Sequence, residues 1–210
     1  MKRLISDMGL NSSQEYDRIY EERQKRGQDA HDMRRWGKLL RYFSHGDIID
    51  LGCLDSGIVD LVKNRKDTTY TGIDIAELAI HTQKIKYKNY ENVSFFPADL
   101  YETPFQDEAF DYVVLGEVIE HLDEPQKAIT EAMRILRKDG TLALSTPLEE
   151  EKEIGAIDKD RHVWSFSKQD IIDLLSPYNE PKIQIIGSQY FPTYKYAWPT
   201  LIAFCKKNGI

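Results

Sequence analysis

Four strand-like runs in this chain each deliver a residue able to hydrogen-bond a ligand. Asp47-Ile48-Ile49-Asp50-Leu51 is followed by Gly52 and Cys53. Tyr70-Thr71-Gly72-Ile73 ends on Asp74, with Ile75 behind it. Val93-Ser94-Phe95-Phe96 leads to Ala98-Asp99-Leu100, and Phe110-Asp111-Tyr112-Val113-Val114-Leu115 leads to Glu117-Val118-Ile119-Glu120-His121-Leu122. A glycine just past the first run lets backbone N–H groups come close to a ligand, because no side chain intervenes. An acid at the end of the second run can accept hydrogen bonds from both hydroxyls of a ribose. Asp74 lies 22 residues beyond Gly52, close to the roughly 20 expected of a nucleotide-binding βαβ unit. Asp99 can accept from an exocyclic amine, and the backbone N–H of Leu100 can donate to a ring nitrogen. A single strand-end aspartate is most often a cap or turn residue. Four polar strand ends in sequence order describe one site for an adenosine-like ligand, in the crevice outside the carboxyl ends of the strands.

The first loop argues against a dinucleotide. Seating a pyrophosphate on a helix N-terminus calls for Gly-x-Gly-x-x-Gly, and here the turn reads Gly52-Cys53-Leu54-Asp55-Ser56-Gly57. The Asp55 carboxylate would repel a pyrophosphate. It would not repel a ligand carrying an amine and a sulfonium in that place.

These residues need a scaffold of alternating strands and helices. Ser12-Ser13 can cap a helix starting near Gln14, with Tyr16, Ile19 and Tyr20 on one face. A second helix over roughly 30–43 presents Met33, Trp36, Leu40 and Phe43. Helices over 56–64, 76–87 and 125–137 follow the first, second and fourth strands. Asp139-Gly140 reads as a turn into a fifth strand over 141–145. A polar, acidic stretch over 149–160 reads as a loop or lid, 167–175 as a helix, and 183–186 and 201–204 as the last two strands. Such alternation implies a parallel sheet with right-handed crossovers. The expected fold is α/β: a Rossmann-like, doubly wound, seven-stranded sheet, mostly parallel with an antiparallel edge strand. The chain reads as one domain, with a helical cap over 1–45 and the core over 46–210.

Composition bounds the function classes. The 210 residues suit one domain with a full core. Hydrophobic residues make 41% and charged residues 30% of the chain, as in soluble globular proteins. No apolar run approaches the ~20 residues that span a bilayer, and the N-terminus has no signal-peptide core. The two cysteines, Cys53 and Cys205, lie far apart, which points to a reducing compartment. A cytoplasmic protein without a membrane span is expected. The net charge of −7 disfavours a nucleic-acid partner. Residues 18–41 nevertheless hold eight basic against four acidic residues, which reads first as a solvated helical face.

Over roughly residues 46–206 the chain resembles class I S-adenosylmethionine-dependent methyltransferases. The resemblance is carried by Asp50-Leu51-Gly52-Cys53, Gly72-Ile73-Asp74, Ala98-Asp99-Leu100, Phe110-Asp111-Tyr112-Val113-Val114, the block from Glu117 to Leu122, the block from Glu131 to Gly140, and Ser145-Thr146-Pro147. It is similar to the branch holding the ubiquinone-biosynthesis O-methyltransferases and many small-molecule enzymes. The resemblance implies S-adenosylmethionine as cofactor and S-adenosylhomocysteine as product. It implies that Asp50, Gly52 and Cys53 line the methionine moiety, that Asp74 and the adjoining Ile75 hold the ribose, that Asp99 and Leu100 hold the adenine, and that the backbone around Glu117 faces the methionine amine. Tyr16 and Tyr20 would belong to a helical cap over the cofactor. The family usually has three alternating glycines in the first loop, and Leu54 stands in place of the second.

Methyl transfer from a sulfonium is an in-line displacement at near-attack distances of ~3–3.5 Å, and a base is needed only for a poorly acidic acceptor such as an alcohol. His121, at the mouth of the cleft, is the candidate catalytic residue, since an imidazole with a pKa near ~6.5 accepts a proton at neutral pH. The expected activity is methyl transfer to a small-molecule substrate, at oxygen. Two alternatives stand beside it. The small-RNA 2′-O-methyltransferases are similar in pairing Glu-x-x-Glu-His with a later histidine, here His162. Glu117, Glu120, His121 and His162 could then hold a divalent metal, although no metal is assigned. The other alternative is a non-catalytic protein on the same fold, which the Leu54 loop would suit. An aromatic stretch over 190–199 could pave an acceptor pocket or pack on the sheet edge. Neither the acceptor nor the oligomeric state is coded in the chain.

Overall fold

The structure is a computed structural model and describes residues 2–3, 12–26, 30–148, 162–186 and 199–208. Its elements are β1 (Lys2–Arg3), α1 (Ser13–Arg26), α2 (Ala30–Leu39), β2 (Gly46–Leu51), α3 (Ile58–Val62), β3 (Thr68–Asp74), α4 (Glu77–Lys86), β4 (Val93–Pro97), β5 (Phe110–Gly116), α5 (Pro125–Ile135), β6 (Leu136–Pro147), β7 (Trp164–Ser165), α6 (Lys168–Leu175), β8 (Lys182–Ile186) and β9 (Thr200–Lys206). The expected loop over 149–160 and most of the aromatic stretch over 190–199 lie outside the described residues.

Seven strands form one sheet in the order β4-β3-β2-β5-β6-β9-β8. The first five are parallel, and β9 runs antiparallel to both β6 and β8. This is the expected Rossmann-like sheet, with its antiparallel pairing at one edge. The chain moves outward from β2 to β4, then returns to β5 on the other side of β2. The junction of β2 and β5 is therefore the switch point, where open α/β sheets hold their ligands. A separate antiparallel ribbon, absent from the sequence reading, pairs β1 with β7.

Strand alternation divides the core into two layers. Ile49, Leu51, Val113, Leu115, Leu142 and Leu144 face one side and pack with Ala128, Ile129 and Ala132 of α5 and Ile171 and Leu175 of α6. Ile48, Val114 and Ala143 face the other side and pack with Trp36, Leu39, Ile58, Val62 and Ile80 of α2, α3 and α4. Each fully buried aliphatic side chain contributes roughly 1.5–3 kcal/mol. Local signals agree with this plan. The Glu15 N–H donates to Ser12 Oγ at 3.3 Å, ahead of α1. Pro125 opens α5, where its missing N–H costs nothing. Ser167 and Asp170 form a reciprocal capping box on α6.

The fifth strand differs from expectation in its start. It begins at Leu136 rather than after the turn, because Leu136 leaves α5 extended and pairs with Phe110. The register then shifts before Tyr112 meets Thr141. Asp139 takes the left-handed conformation (φ 61°) inside this irregularity. Its N–H donates to the Lys207 carbonyl at 3.1 Å, and the Lys207 N–H donates to the Gly140 carbonyl at 2.9 Å. The predicted turn is thus held in the sheet by the end of the chain.

Candidate active site

The carboxyl ends of β2, β3, β4 and β5 lie side by side, with Asp50 opposite Gly72 and Val114, and Asp74 opposite Pro97. The four polar strand ends read from the sequence therefore share one rim. At the first, Gly52 has φ 75°, and a Cβ there would sit 2.8 Å from Val118 Cγ2. Only glycine avoids both the strain and the clash. The N–H groups of Gly52 and Cys53 both donate to the Ile73 carbonyl at 2.9 Å, which ties the loop to β3.

Asp50 is fully buried and accepts a hydrogen bond from the Tyr70 hydroxyl at 3.0 Å. Burial pushes its carboxyl up to about 6, against the hydrogen bonds from Ser56 and Tyr70. Asp74 is also buried. Its Oδ2 accepts from the Leu54 N–H at 2.8 Å and its Oδ1 from the Ala76 N–H at 2.9 Å. Burial raises Asp74 to about 6 despite these amides. Cys53 is buried, and desolvation holds its thiol well above the usual range. Ile75 is half-buried beside Asp74. Asp99 is exposed at the end of β4, where its Oδ1 accepts from the Tyr101 N–H at 2.8 Å, and Leu100 packs against the core.

Leu54 is the residue that departs from the glycine pattern, and it is accommodated in the left-handed region at φ 38°. Its side chain packs against Tyr20, Ala76 and Ala79, a cluster that Tyr16 also joins. Gln24 Nε2 donates to Asp55 Oδ2 at 3.1 Å, and the Leu78 N–H donates to Asp17 Oδ1 at 2.8 Å. Helix α1 is thereby docked on the first loop and on the start of α4. Burial raises the Tyr16 phenol, and the charges of Asp74 and Glu120 add to the rise.

Beyond β5 the chain turns sharply at Glu117, whose φ of 58° is rare for a residue with a side chain. The Glu117 N–H donates to the Ser145 carbonyl at 2.9 Å. Its Oε2 lies 3.4 Å from Arg35 Nη1, and its Oε1 is buried without a hydrogen-bond partner. Arg35 itself is 5% exposed. The reading of residues 18–41 as a solvated face therefore fails at this residue. Its neighbour Trp36 belongs to the apolar stripe of α2, and that adjacency was the signal available in the sequence. The Trp36 ring lies where a Cβ on Gly116 would stand, 2.7 Å from that position. The glycine is what lets α2 reach the tip of β5.

Glu120, His121 and His162 converge next. One potential ligand atom from each lies within 4.8 Å of the others. The imidazole rings of His121 and His162 are 5.0 Å apart. Glu120 is buried, Thr146 Oγ1 donates to its Oε2 at 3.2 Å, and its Oε1 lies 3.9 Å from His121 Nε2. Burial raises its carboxyl, Glu117 adds to the rise, and His162 opposes it. The Val163 N–H donates to the Glu120 carbonyl at 2.7 Å, and Trp164 Nε1 donates to the Leu122 carbonyl at 2.7 Å. These bonds bring the distant His162 to the rim. One carboxylate and two imidazoles suit a divalent transition ion. Glu117, expected as a fourth ligand, is held by Arg35 instead. His45 and His81 are exposed, away from this cluster.

Residues 49–144 match the family described as "Methyltransferase domain". A demethylmenaquinone methyltransferase of Listeria welshimeri is 28% identical over 110 residues, 50% of this chain and 47% of the relative. The chain therefore spans about half the length of that curated relative. A solved S-adenosylmethionine-dependent methyltransferase of Methanosarcina mazei aligns with TM-score 0.63 and 17% identity, over 81% of this chain and 97% of its own. The [4+2]-cyclase SpnF aligns with TM-score 0.68 and 16% identity, over 98% of this chain and 86% of its own. At these identities the structural likeness establishes the fold, and a cyclase among the neighbours shows that the fold hosts more than one chemistry. Among the described residues no helix is long and apolar enough to cross a membrane. Residues 49–144 thus match a methyltransferase domain, and the sheet that carries them has the fold of the solved S-adenosylmethionine-dependent methyltransferase.

Proposed function

We propose that the chain transfers a methyl group from S-adenosylmethionine to an oxygen of a small-molecule acceptor. The observation that carries this is the convergence of Asp50, Gly52, Asp74, Asp99, Glu117 and His121 on one rim at the switch point. When bound, the cofactor supplies an electrophilic methyl on a sulfonium. The residues present fit it. Gly52, at φ 75°, ties the first loop back to β3, the buried Asp74 suits a diol, and the exposed Asp99 suits an amine. The buried Oε1 of Glu117, which has no hydrogen-bond partner, suits a cation. Helix α1, through Tyr16 and Leu54, would cover the cleft and exclude water. His121 is the group that would take the acceptor's proton as the new bond forms. The name of the curated relatives and the acidic net charge support a small acceptor rather than a nucleic acid.

A second reading is favoured by one observation, the meeting of Glu120, His121 and His162. Here these side chains would hold a divalent ion that lowers the pKa of the acceptor hydroxyl, and His121 would be a ligand rather than a base. The deciding experiment is transfer of isotopically labelled methyl to a panel of hydroxylated aromatic compounds and to total RNA, with and without a chelator. Label in a small hydroxylated compound that survives the chelator supports the first reading. Label that is lost with the chelator moves the assignment to the second. Label in RNA alone, or in nothing despite cofactor binding, contradicts the small-molecule assignment. His121→Ala should slow turnover by the 10²–10⁴-fold typical of a lost general base, with S-adenosylhomocysteine affinity unchanged.

A further inference from the structure

Helix α4 is apolar on two sides. At about 100° per residue, Ala79, Ile80 and Gln83 share one side of it, and all three are buried. Leu78 and Ile85 fall on the opposite side and are exposed, Ile85 to 57%. A surface helix of a globular domain has one apolar stripe, toward its core, so the second stripe of α4 calls for another partner. Helix α3 packs on the same core layer as α4, through Ile58, Val62 and Ile80. The outer faces of the two helices therefore look away from the same side of the sheet, and α3 adds the exposed Leu61.

Lysines frame these side chains. Residues 60–67 and 84–91 hold six basic against three acidic residues, in a chain of net charge −7. Lys84, Lys86 and Lys88 stand around Ile85 and are exposed, as is Lys66 beyond α3. Asp60 serves two cations at once, with Lys63 Nζ 2.6 Å from its Oδ1 and Lys86 Nζ 3.9 Å from its Oδ2. Lys84 Nζ lies 5.8 Å over the ring of Phe96, itself exposed at the edge of β4. A cation in the last turn complements a helix dipole, but that does not account for an exposed isoleucine among three lysines. Because α4 leads from the end of β3 back to the start of β4, its lysine-bearing end lies away from the acidic carboxyl-end rim.

Charge and apolarity together select the partner. A second copy of this face would bring lysines against lysines. A nucleic acid would leave the aliphatic side chains without a counterpart, and Arg65, which could fork onto a phosphate, donates instead to the Phe43 and Ser44 carbonyls at 3.2 and 3.3 Å. We propose that the outer face of α3 and α4 docks on an anionic phospholipid bilayer. Leu61, Leu78 and Ile85 enter the headgroup boundary, and Lys66, Lys84, Lys86 and Lys88 meet the lipid phosphates. Such docking lies on the bilayer and needs no membrane-crossing helix. It does not depend on the identity of the methyl acceptor.

The test is co-sedimentation of the full chain with vesicles of phosphatidylcholine alone and of equimolar phosphatidylcholine and phosphatidylglycerol. Wild-type protein should bind the mixed vesicles at low salt, at least tenfold more tightly than the neutral ones, and lose this preference at high salt. Replacing Lys84 and Lys88 by Gln should weaken binding to the mixed vesicles by about fivefold per lysine. Ile85→Ser should weaken it by about tenfold, the loss expected for one buried aliphatic side chain. All three positions are exposed, so the variants should keep the wild-type circular dichroism and urea midpoint. Wild-type protein that does not distinguish the two vesicles overturns the proposal, a comparison that needs no variant. Folded variants that bind as the wild type does also overturn it. Displacement of the vesicles by total RNA, with Ile85→Ser binding RNA as tightly as the wild type, would assign the lysines to a nucleic acid and overturn it too.

Discussion

The backbone N–H of Leu54 donates to Asp74 Oδ2 at 2.8 Å. The residue that breaks the glycine pattern of the first loop is thus tied to the acid assigned to the ribose. Leu54 pays for its left-handed backbone by packing its side chain under α1. A loop that departs from the family pattern is in this way converted into the floor of the helical cap.

This arrangement inverts a familiar substitution order. Leu54→Ala loses the packing and keeps the left-handed strain, and should destabilise by about 1–2 kcal/mol. Leu54→Gly loses the same packing but relieves roughly 1–2 kcal/mol of strain, and should be the more stable of the two. Urea unfolding of both variants checks this. A glycine variant less stable than the alanine variant would mean that the backbone at 54 is not strained.

The two buried aspartates set opposite pH trends for the free and bound protein. Asp50 and Asp74 both rise to about 6 through burial. An acid raised on folding contributes stability below its unfolded value near 3.8, and loses it as pH rises through about 6. The ligand-free protein should therefore become more stable on mild acidification from pH 7 to 5. A cationic, hydroxyl-bearing cofactor needs the carboxylates ionised, so its affinity should fall by about tenfold over the same interval for each carboxylate involved. Asp50→Asn removes the buried charge while an oxygen remains for the Tyr70 hydroxyl. It should stabilise the free protein at pH 7 by about 1–3 kcal/mol and weaken cofactor binding. A destabilised Asp50→Asn protein would contradict the assigned cost of burying that charge.

Much of this molecule is legible in its sequence because the informative residues are local. Apolar runs ending in Asp50, Asp74, Asp99 and Glu117 set the strands, and parallel neighbours bring their ends together without further instruction. The cap at Ser167 and the proline at 125 mark their helices directly. The features that the sequence does not show depend on distant partners. Arg35 looks like one more basic surface residue until α2 is packed on the sheet and its side chain meets Glu117. The start of β6 at Leu136 is set by pairing with Phe110 and by the returning Lys207, not by the Asp139-Gly140 signal. The ribbon of β1 and β7 has two residues in each strand and no periodicity to read.

The contact between α2 and β5 gives a steric prediction. A Cβ at position 116 would lie 2.7 Å from Trp36 Cζ3. Gly116→Ala should destabilise by about 1–3 kcal/mol, as overpacking does, and should shift the Trp36 fluorescence. Unchanged stability and emission would mean that α2 does not rest on β5 at this point.

Acid unfolding should begin elsewhere. Glu131 accepts from the Thr103 N–H at 2.8 Å and from Thr103 Oγ1 at 2.6 Å, and Arg134 Nε donates to its Oε2 at 2.7 Å. The Arg134 hydrogen bond is the main cause that holds its carboxyl down at about 2. A depressed acid stabilises above its unfolded value and loses that contribution as pH falls towards 2. Glu131→Gln should cost on the order of 3 kcal/mol at pH 7, and its stability should change less than that of the wild type between pH 5 and pH 2. Parallel pH profiles for the two proteins would refute this role.

The central claim is that the strand ends at the β2–β5 switch point bind S-adenosylmethionine. It is tested most directly by calorimetric titration of the purified protein with S-adenosylhomocysteine, beside the Asp74→Asn variant with its fold checked by circular dichroism. The account predicts one-to-one binding in the micromolar range for the wild type and a loss of about tenfold or more in the folded variant. No binding by the wild type at millimolar ligand, or equal affinity in the two proteins, would contradict it.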